Sequence, residues 1–324
     1  MPSDFEQNLN KYAEVIVKVG LNVQPGQRLL IGMPFYEILG TQLELAPLVR
    51  LVAKHAYQVG ARLVDVLWND EQLELIRLQH APRDSFDEFP NWRTDAALEI
   101  AETGEAILIF AAASPGLLIE QDPELSTTVL RTTLKHMKPT IDLRVRNAMN
   151  LSIAAAPIDS WSEKVFPETP ADSRKTKSWD TIFDICRVKE ADPIAAWTDH
   201  IAGLIARSDY LNSKQFAGLK MTAPGTDLTV GLPGRHIWRS ALMDSQNGVK
   251  FTANIPTEEI FTMPHKDKTE GVVTTTKPSA IGGGIIEEVS LTFLGGKVVK
   301  ATAKNGEERL HNLLGTDEGM LRLG

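Results

Sequence analysis

Arg28-Leu29-Leu30-Ile31-Gly32 is a short apolar run that directly follows a turn over Asn22 to Gln27. Pro25 and Gly26 in that turn interrupt regular structure just before the run. A short apolar run of this kind is typical of a strand that is buried on both faces, as in a parallel sheet. The stretch therefore predicts an interior strand that other elements must cover on two sides.

Helical patterns alternate with further apolar runs around this strand. Residues 44–59 place apolar side chains at helical spacing, and Gly60 follows as a stop. The first helix is expected to be capped by Asp4 and to end at Gly20. Up to about residue 210 the predictions are helices at 4–19, 44–59, 70–79, 94–104, 123–137 and 192–208, and strands at 28–32, 61–68, 106–110 and 152–157. This alternation indicates right-handed crossovers and a mainly parallel sheet with helices on both faces.

The pattern changes after about residue 210. Short runs rich in Val, Ile, Thr and Phe, among them residues 250–255, replace the alternation. Gly225 and Gly295-Gly296 each separate two such runs, which predicts two hairpins. We therefore expect an α/β domain over 1–210, with an open, mainly parallel, doubly wound sheet. A β-rich α+β domain is expected over 211–324.

Charge and cysteine usage narrow the class of protein. The 34 basic and 42 acidic residues give a net charge of −8, which argues against general binding to nucleic acid or anionic membranes. No uncharged apolar run approaches the ~20 residues that a membrane span needs. Cys186 is the single cysteine, so an internal disulfide is impossible and a reducing cytoplasm is the expected compartment. Its apolar neighbours indicate a core residue rather than a nucleophile.

Common catalytic motifs are absent from the sequence. It contains no His-Glu-x-x-His, Walker-type phosphate loop, Gly-x-Ser-x-Gly elbow or Cys-x-x-Cys, and no two histidines are spaced as a local metal pair. Gly282-Gly283-Gly284 precedes a predicted strand rather than a helix, so it is interpreted as a turn.

Two adjacent carboxylates, Glu258 and Glu259, stand among apolar residues between Pro256 and Pro264. They are either part of a solvated turn or the source of a metal ligand. Neighbouring side chains of an extended backbone point to opposite faces, so the two do not enter one pocket without a bulge. A carboxylate that faces inward needs a cation or hydrogen bonds, because burying it alone costs several kcal/mol. The residues by themselves leave both interpretations open.

Motifs along the whole chain resemble those of the dinuclear metalloaminopeptidases of the aminopeptidase T and aminopeptidase S family. The pairing of Pro256-Thr257-Glu258-Glu259 with a terminal Asp-Glu-Gly-x-x-x-Leu-Gly is the most specific part of this resemblance. The matching stretches are Tyr12–Glu14, Val19–Gln27, Ala56–Ala61, Trp68–Asp70, Gly225–Leu228, Asn254–Glu259, Lys277-Pro278, Thr316–Gly319 and Leu323-Gly324.

The resemblance implies a site with two divalent metal ions, which would be zinc, cobalt or manganese. In the family two glutamates, two histidines and an aspartate hold the ions, and a tyrosine assists. The first metal glutamate matches Glu259, and Glu258 is left with a structural hydrogen bond or salt bridge. The second metal glutamate directly follows the Leu-Gly that is Leu323-Gly324 here, and the other ligands come after it.

The resemblance therefore implies a cytoplasmic, homodimeric enzyme that removes N-terminal residues from peptides through a metal-bound water. Residues 1–324 by themselves are expected to be inactive and to hold no metal tightly, because the β-rich domain would be incomplete and only Glu259 of the ligand set is present. Two alternatives stay open. One is a non-enzymatic module that binds a small molecule through the loops after Ile31, Trp68 and Phe110. The other is a dimerisation scaffold.

Overall fold

A computed structural model describes residues 3–35, 38–281 and 284–323. The predicted turn at Gly282-Gly283 and the residue Gly324 lie outside these ranges. The chain forms two compact units, each built from separate stretches of sequence. The first unit contains Met1–Ser114, Glu124–Gly203 and Ala241–Glu259, and the second contains Pro115–Pro123, Leu204–Ser240 and Ile260–Gly324. The predicted domain boundary near residue 210 stays a prediction. The two compact units do not divide the chain at a single point, because each combines several stretches of sequence.

Most helices of the described chain belong to the first unit, and the last α-helix belongs to the second. The α-helices are α1 Asp4–Val15, α2 Ala46–Gln58, α3 Glu71–His80, α4 Asn91–Glu102, α5 Pro123–Val145, α6 Asp159–Val165, α7 Ala171–Ile185, α8 Pro193–Lys214 and α9 Glu307–Leu314. A π-helix covers Ile16–Leu21, and 3₁₀ turns cover Leu43–Leu45, Arg83–Asp87 and Gly319–Leu321. No helix in the described part of the chain is both long enough and apolar enough to cross a membrane.

The strands fall into one parallel sheet, one antiparallel sheet and several short pairs. They are β1 Arg28–Ile31, β2 Thr41–Gln42, β3 Leu63–Val66, β4 Trp68–Asn69, β5 Ala106–Ala111, β6 Leu151–Ala155, β7 Gly218–Ala223, β8 Thr226–Gly231, β9 Leu242–Asp244, β10 Lys250–Thr252, β11 Asn254–Ile255, β12 Thr269–Thr274, β13 Ser279–Ile281, β14 Gly284–Ile286, β15 Ser290–Leu294 and β16 Lys297–Thr302.

The first unit is built on a parallel sheet with strand order β11-β6-β5-β1-β3. Leu29 and Ile31 of β1 join the core on one face, with residues of α1, α2 and α7. Leu30 joins a second core on the other face, with residues of α4 and α5. Burial on both faces confirms the interpretation of the apolar run and the α/β class. Since β3 and β5 flank β1 on opposite sides, the chain reverses its direction across the sheet at β1.

The beginning of the first helix differs from the prediction. Ser3, rather than Asp4, caps α1, and it does so in a capping box in which the Glu6 side chain accepts from the Ser3 backbone N–H. The expected stop at Gly20 is also wrong, because Gly20 lies inside the π-helix. A Cβ atom at Gly20 would stand 2.9 Å from Ser152 Oγ and 3.2 Å from an Ile255 side-chain carbon. The glycine therefore permits close helix–sheet packing rather than a stop.

Residues 250–255 also differ from the prediction, which assigned them to the β-rich domain. Here β10 pairs with β9, while β11 pairs with β6 and forms one edge of the parallel sheet. Ile255 is 1% exposed and belongs to the core of the first unit. Ile255 packs beside β6, which lies about 100 residues earlier in the sequence. The free energy gained by burying this side chain outweighs the local residue pattern that assigned it to the β-rich domain.

The second unit contains an antiparallel sheet with strand order β16-β15-β12-β8-β7. The hairpin at Gly225 is confirmed as β7–β8, and the hairpin at Gly295-Gly296 is confirmed as β15–β16. Each of these three glycines has a positive φ, which suits a tight turn. The α9 helix packs on β14 and β16, and Leu310 is its buried residue.

Candidate metal centre

The segment with the two carboxylates leaves the parallel sheet at the carboxyl ends of its strands. Asn254 and Ile255 pair with Ile153 and Ala154 of β6 in parallel register, and residues 256–259 follow directly. Ser152 Oγ donates to the carbonyl oxygen of Thr252 at 2.8 Å, which ties the approach to β11 to the same strand. Ligands of open α/β sheets are bound at this edge, beyond the carboxyl ends of the strands.

Glu258 forms an ion pair at the protein surface. Arg187 Nη2 donates to its Oε1 at 2.7 Å, and His200 Nε2 lies 3.4 Å from its Oε2. The Glu258 side chain remains 64% exposed, so the pair by itself is worth only ~0–1 kcal/mol. The structure thus gives Glu258 the salt bridge that the resemblance implied.

His200 links this ion pair to the backbone of the same segment. Its Nε2 lies 2.8 Å from the carbonyl oxygen of Thr257, and its Nδ1 lies 2.9 Å from Arg187 Nη2. A carbonyl oxygen only accepts and a guanidinium only donates, so these partners assign the ring proton to Nε2 and the acceptor role to Nδ1. Arg187 and His200 together therefore fix both the side chain and the backbone immediately before Glu259.

The ring of a buried tryptophan contacts the guanidinium group of Arg187. The guanidinium carbon of Arg187 lies 5.1 Å from the centroid of the Trp197 ring, a distance at which a cation–π contact is attractive. Trp197 is 0% exposed, and its Nε1 donates to the carbonyl oxygen of Cys186 at 2.8 Å. The position of Arg187 is thereby set by the core of the first unit.

Glu259 has a different environment. It is exposed, and it makes no hydrogen bond or ion pair with any residue in the described ranges. Its neighbour Glu258 is already engaged, so Glu259 is the carboxylate of the pair that remains available for an external cation. Metal ions in proteins commonly take carboxylate oxygens as ligands.

Glu259 alone does not form a complete metal centre. Among residues 3–35, 38–281 and 284–323, no group of three or more His, Cys, Asp or Glu side chains could hold an ion. The described residues thus fit one ligand of a metal ion and no more.

Cys186 behaves as a core residue, and its inertness is testable. It is 0% exposed, and burial is the main cause that raises the pKa of its thiol to about 12. The thiolate is the reactive form, so we expect no labelling of the folded chain by a thiol reagent at pH 8 and one equivalent in guanidinium chloride. Rapid labelling without denaturant would contradict the buried position.

The chain matches the thermophilic metalloprotease (M29) family over residues 5–324. That match spans nearly the whole chain.

The chain belongs to the M29 metalloprotease family.

Individual M29 relatives agree with this assignment. Aminopeptidase 2 of Geobacillus stearothermophilus is 43% identical over 320 residues, and aminopeptidase T of Thermus thermophilus is 35% identical over 320 residues. Each alignment covers 99% of this chain and 76% of the relative. The solved structure of wild-type AmpT from Thermus thermophilus superposes with a TM-score of 0.89 at 34% identity, and covers 99% of this chain and 77% of that one. The M29 fold is therefore shared across both units.

The two residues that hold the segment before Glu259 in place could not be predicted from the sequence. Arg187 and His200 lie 71 and 58 residues before Glu258. Arg187 follows α7 with a positive φ of 60°. A non-glycine residue in that conformation is uncommon, but nothing in the local sequence indicated it. His200 lies on α8, where a histidine gives no signal of its partners.

Proposed function

We propose that this M29 protein is a metal-dependent aminopeptidase that hydrolyses the N-terminal residues of peptides. The observation that carries the proposal is the 43% identity to aminopeptidase 2, which extends over 99% of the chain. The TM-score of 0.89 against AmpT also supports it, because at 34% identity the two chains share the same arrangement of helices and strands. Peptides are accordingly the proposed substrates.

We propose further that the enzyme uses two divalent ions, of zinc, cobalt or manganese, and that Glu259 is one ligand. Three features support Glu259. Its carboxylate is exposed and unpaired within the described chain, it follows a strand at the carboxyl edge of the sheet, and Arg187 and His200 hold the residues just before it. When bound, such ions polarise a peptide carbonyl and activate water.

An assay on unblocked and blocked substrates tests the proposed activity. We expect the protein expressed from its full coding sequence to release p-nitroaniline from leucine p-nitroanilide, to lose this activity after chelation and to regain it with Co²⁺, Zn²⁺ or Mn²⁺. N-acetyl-leucine p-nitroanilide is the matched control and should stay intact, because an aminopeptidase needs the free ammonium group. Chelator-resistant cleavage, or equal cleavage of the acetylated substrate, would refute the proposal.

We also expect residues 1–324 by themselves to be inactive in the same assay, because Glu259 is the one metal ligand that we propose among the described residues. We also infer a homodimer, on the resemblance to the family, and a cytoplasmic location, which the single buried thiol supports. Light scattering after size-exclusion chromatography tests the dimer: a mass near 35.7 kDa for this chain would identify a monomer.

A further inference from the structure

Arg187 occupies a backbone position that usually belongs to glycine. It follows α7 with a φ of 60°, in the left-handed region. The N–H of Arg187 donates to the carbonyl oxygen of Asp184 at 3.0 Å, and the N–H of Val188 donates to that of Phe183 at 2.8 Å. These two bonds form the Schellman motif that ends many helices, and its left-handed residue is most often glycine, because a Cβ atom is disfavoured there. An arginine at this position costs stability, so its side chain is expected to have a role.

The guanidinium group of Arg187 is held by several contacts. Its Nη1 donates to the carbonyl oxygen of Ile185 at 3.1 Å, and the ring of Trp197 contacts its guanidinium carbon. The two N–H groups of Nη2 have separate acceptors, which are Oε1 of Glu258 at 2.7 Å and Nδ1 of His200 at 2.9 Å. The side chains of Arg187 and His200 are 23% and 11% exposed, whereas that of Glu258 is 64% exposed. The contact with His200 is therefore the better shielded from water.

The ring of His200 connects this contact to the backbone before Glu259. Because Nδ1 accepts from Arg187, the ring proton lies on Nε2, which donates to the carbonyl oxygen of Thr257 at 2.8 Å. The opposite tautomer would place a nitrogen lone pair against that oxygen. The plane of the ring is also set by packing, since its centroid lies 5.5 Å from that of Trp197 at an interplanar angle of 80°. Arg187 and Trp197 thus hold His200 in the state that bonds to the main chain.

Glu258 is the other acceptor of Arg187 Nη2, but it restrains the backbone less than His200 does. An exposed ion pair of this kind is worth little, because water screens it. The Thr257 carbonyl, by contrast, belongs to a planar peptide unit of the main chain, so a hydrogen bond to it restrains the backbone directly. Glu259 itself has no partner in the described chain. The direction of its side chain therefore depends on how the preceding backbone is held.

We propose that Arg187 is a positioning residue for Glu259, and that it acts through His200 rather than through its ion pair with Glu258. The two residues hold the Thr257 carbonyl, and with it the direction in which the Glu259 carboxylate points from the edge of the sheet. This inference rests on the proposed role of Glu259 as a metal ligand. Loss of a group that orients a ligand typically weakens metal binding about 10–100-fold, and we expect an effect of that size here.

Arg187→Gly separates this role from a role in folding. In the metal-free protein, expressed from its full coding sequence, the thermal midpoint should stay within about 5 °C of the parent, because glycine relieves the left-handed backbone. Titration with Co²⁺, followed by visible absorption, should show binding at least about tenfold weaker. Lys189→Gly is the matched control and should bind Co²⁺ like the parent, since Lys189 lies two residues later and pairs only with Asp180 and Asp184 in the described chain.

Two substitutions of His200 separate hydrogen bonding from packing. His200→Phe keeps a ring beside Trp197 but has no donor or acceptor, and should weaken Co²⁺ binding about tenfold or more. His200→Gln keeps a donor and an acceptor, and should bind Co²⁺ within about threefold of the parent. The double variant Arg187→Gly/His200→Phe should bind no more weakly than the weaker single variant, because both changes interrupt the same connection.

Hydrogen exchange of the metal-free protein, measured by mass spectrometry, gives a readout that depends on neither metal nor activity. The amides of residues 254–259 should exchange faster in Arg187→Gly and in His200→Phe than in the parent, because the backbone loses its restraint. His200→Gln should exchange at the parent rate. The amides of α2, which none of these residues contacts, should be unchanged in all variants.

The positioning role is overturned if Arg187→Gly binds Co²⁺ as tightly as the parent, or if His200→Gln binds it as weakly as His200→Phe. Unchanged exchange of residues 254–259 in both Arg187→Gly and His200→Phe overturns it as well. Any of these results leaves the aminopeptidase proposal intact. A parent protein without peptidase activity would refute that proposal instead, and the exchange experiment would still decide whether Arg187 and His200 hold the segment.

Discussion

Glu259→Gln is expected to reduce peptide hydrolysis more than about 100-fold, while Glu258→Gln retains activity within about fivefold of the parent. The first change removes the charge of the proposed metal ligand, and its effect should exceed the 10–100-fold typical of groups that only support a ligand. The second change leaves an amide oxygen that still accepts from Arg187. It forfeits only an exposed ion pair worth ~1 kcal/mol or less, which is a factor of about five.

Both variants are compared in the metal-supplemented enzyme, and bound metal is counted by inductively coupled plasma mass spectrometry. Glu259→Gln should lose metal as well as activity, with a thermal midpoint close to that of the metal-free parent. Glu258→Gln is the matched control, because it makes the same chemical change one residue away. Inactivation by Glu258→Gln, with Glu259→Gln still active, would show that the wrong carboxylate was assigned.

Trp197→Ala is expected to lower the free energy of unfolding by about 3–5 kcal/mol, the usual range when a buried aromatic residue is truncated. Trp197 is among the largest side chains that are fully buried, and it lies in the main core of the first unit. The change also removes the donor to the Cys186 carbonyl and the ring beneath Arg187. The loss should therefore exceed what the apolar area alone predicts.

Urea unfolding followed by circular dichroism measures this loss. Trp92→Ala is the matched control, because the same truncation at a 58% exposed position should change stability by less than about 1 kcal/mol. A second readout is the reactivity of Cys186, which should rise in Trp197→Ala and stay low in Trp92→Ala. Equal stability of the two variants would mean that Trp197 does not support the core as the contacts indicate.

Elements with strong local signals could be predicted from the sequence. The run at Arg28–Ile31 and the hairpins at Gly225 and Gly295-Gly296 carry their own determinants, namely a continuous apolar stretch and turn glycines. The partner of β11 could not be predicted, because β11 pairs with β6 about 100 residues earlier and no local periodicity encodes that partner. The π-helix at Ile16–Leu21 likewise packs against β6 and β11, which lie far from it in the sequence.

The candidate site shows a similar limit. Glu259 was found through the family resemblance and not through spacing, since adjacent glutamates do not by themselves indicate a ligand. Arg187 and His200 reach Thr257 and Glu258 only after folding. A small-molecule site in the loop after Trp68 was one of the alternatives that the sequence left open, because loops at the carboxyl ends of parallel strands often bind small molecules. The raised pKa of the Glu74 carboxyl is caused mainly by burial, which the sequence does not display.

The discontinuous course of the first unit has a consequence for biosynthesis. When the ribosome has added residue 203, β6 has been synthesised but its neighbour β11 has not. Until residues 254–255 emerge, the backbone groups of β6 on that side have no strand to bond, and an open strand edge is a site of intermolecular pairing. Nascent chains stalled before codon 254 should therefore recruit chaperones, whereas chains long enough for residues 254–259 to have left the ribosome can close the sheet.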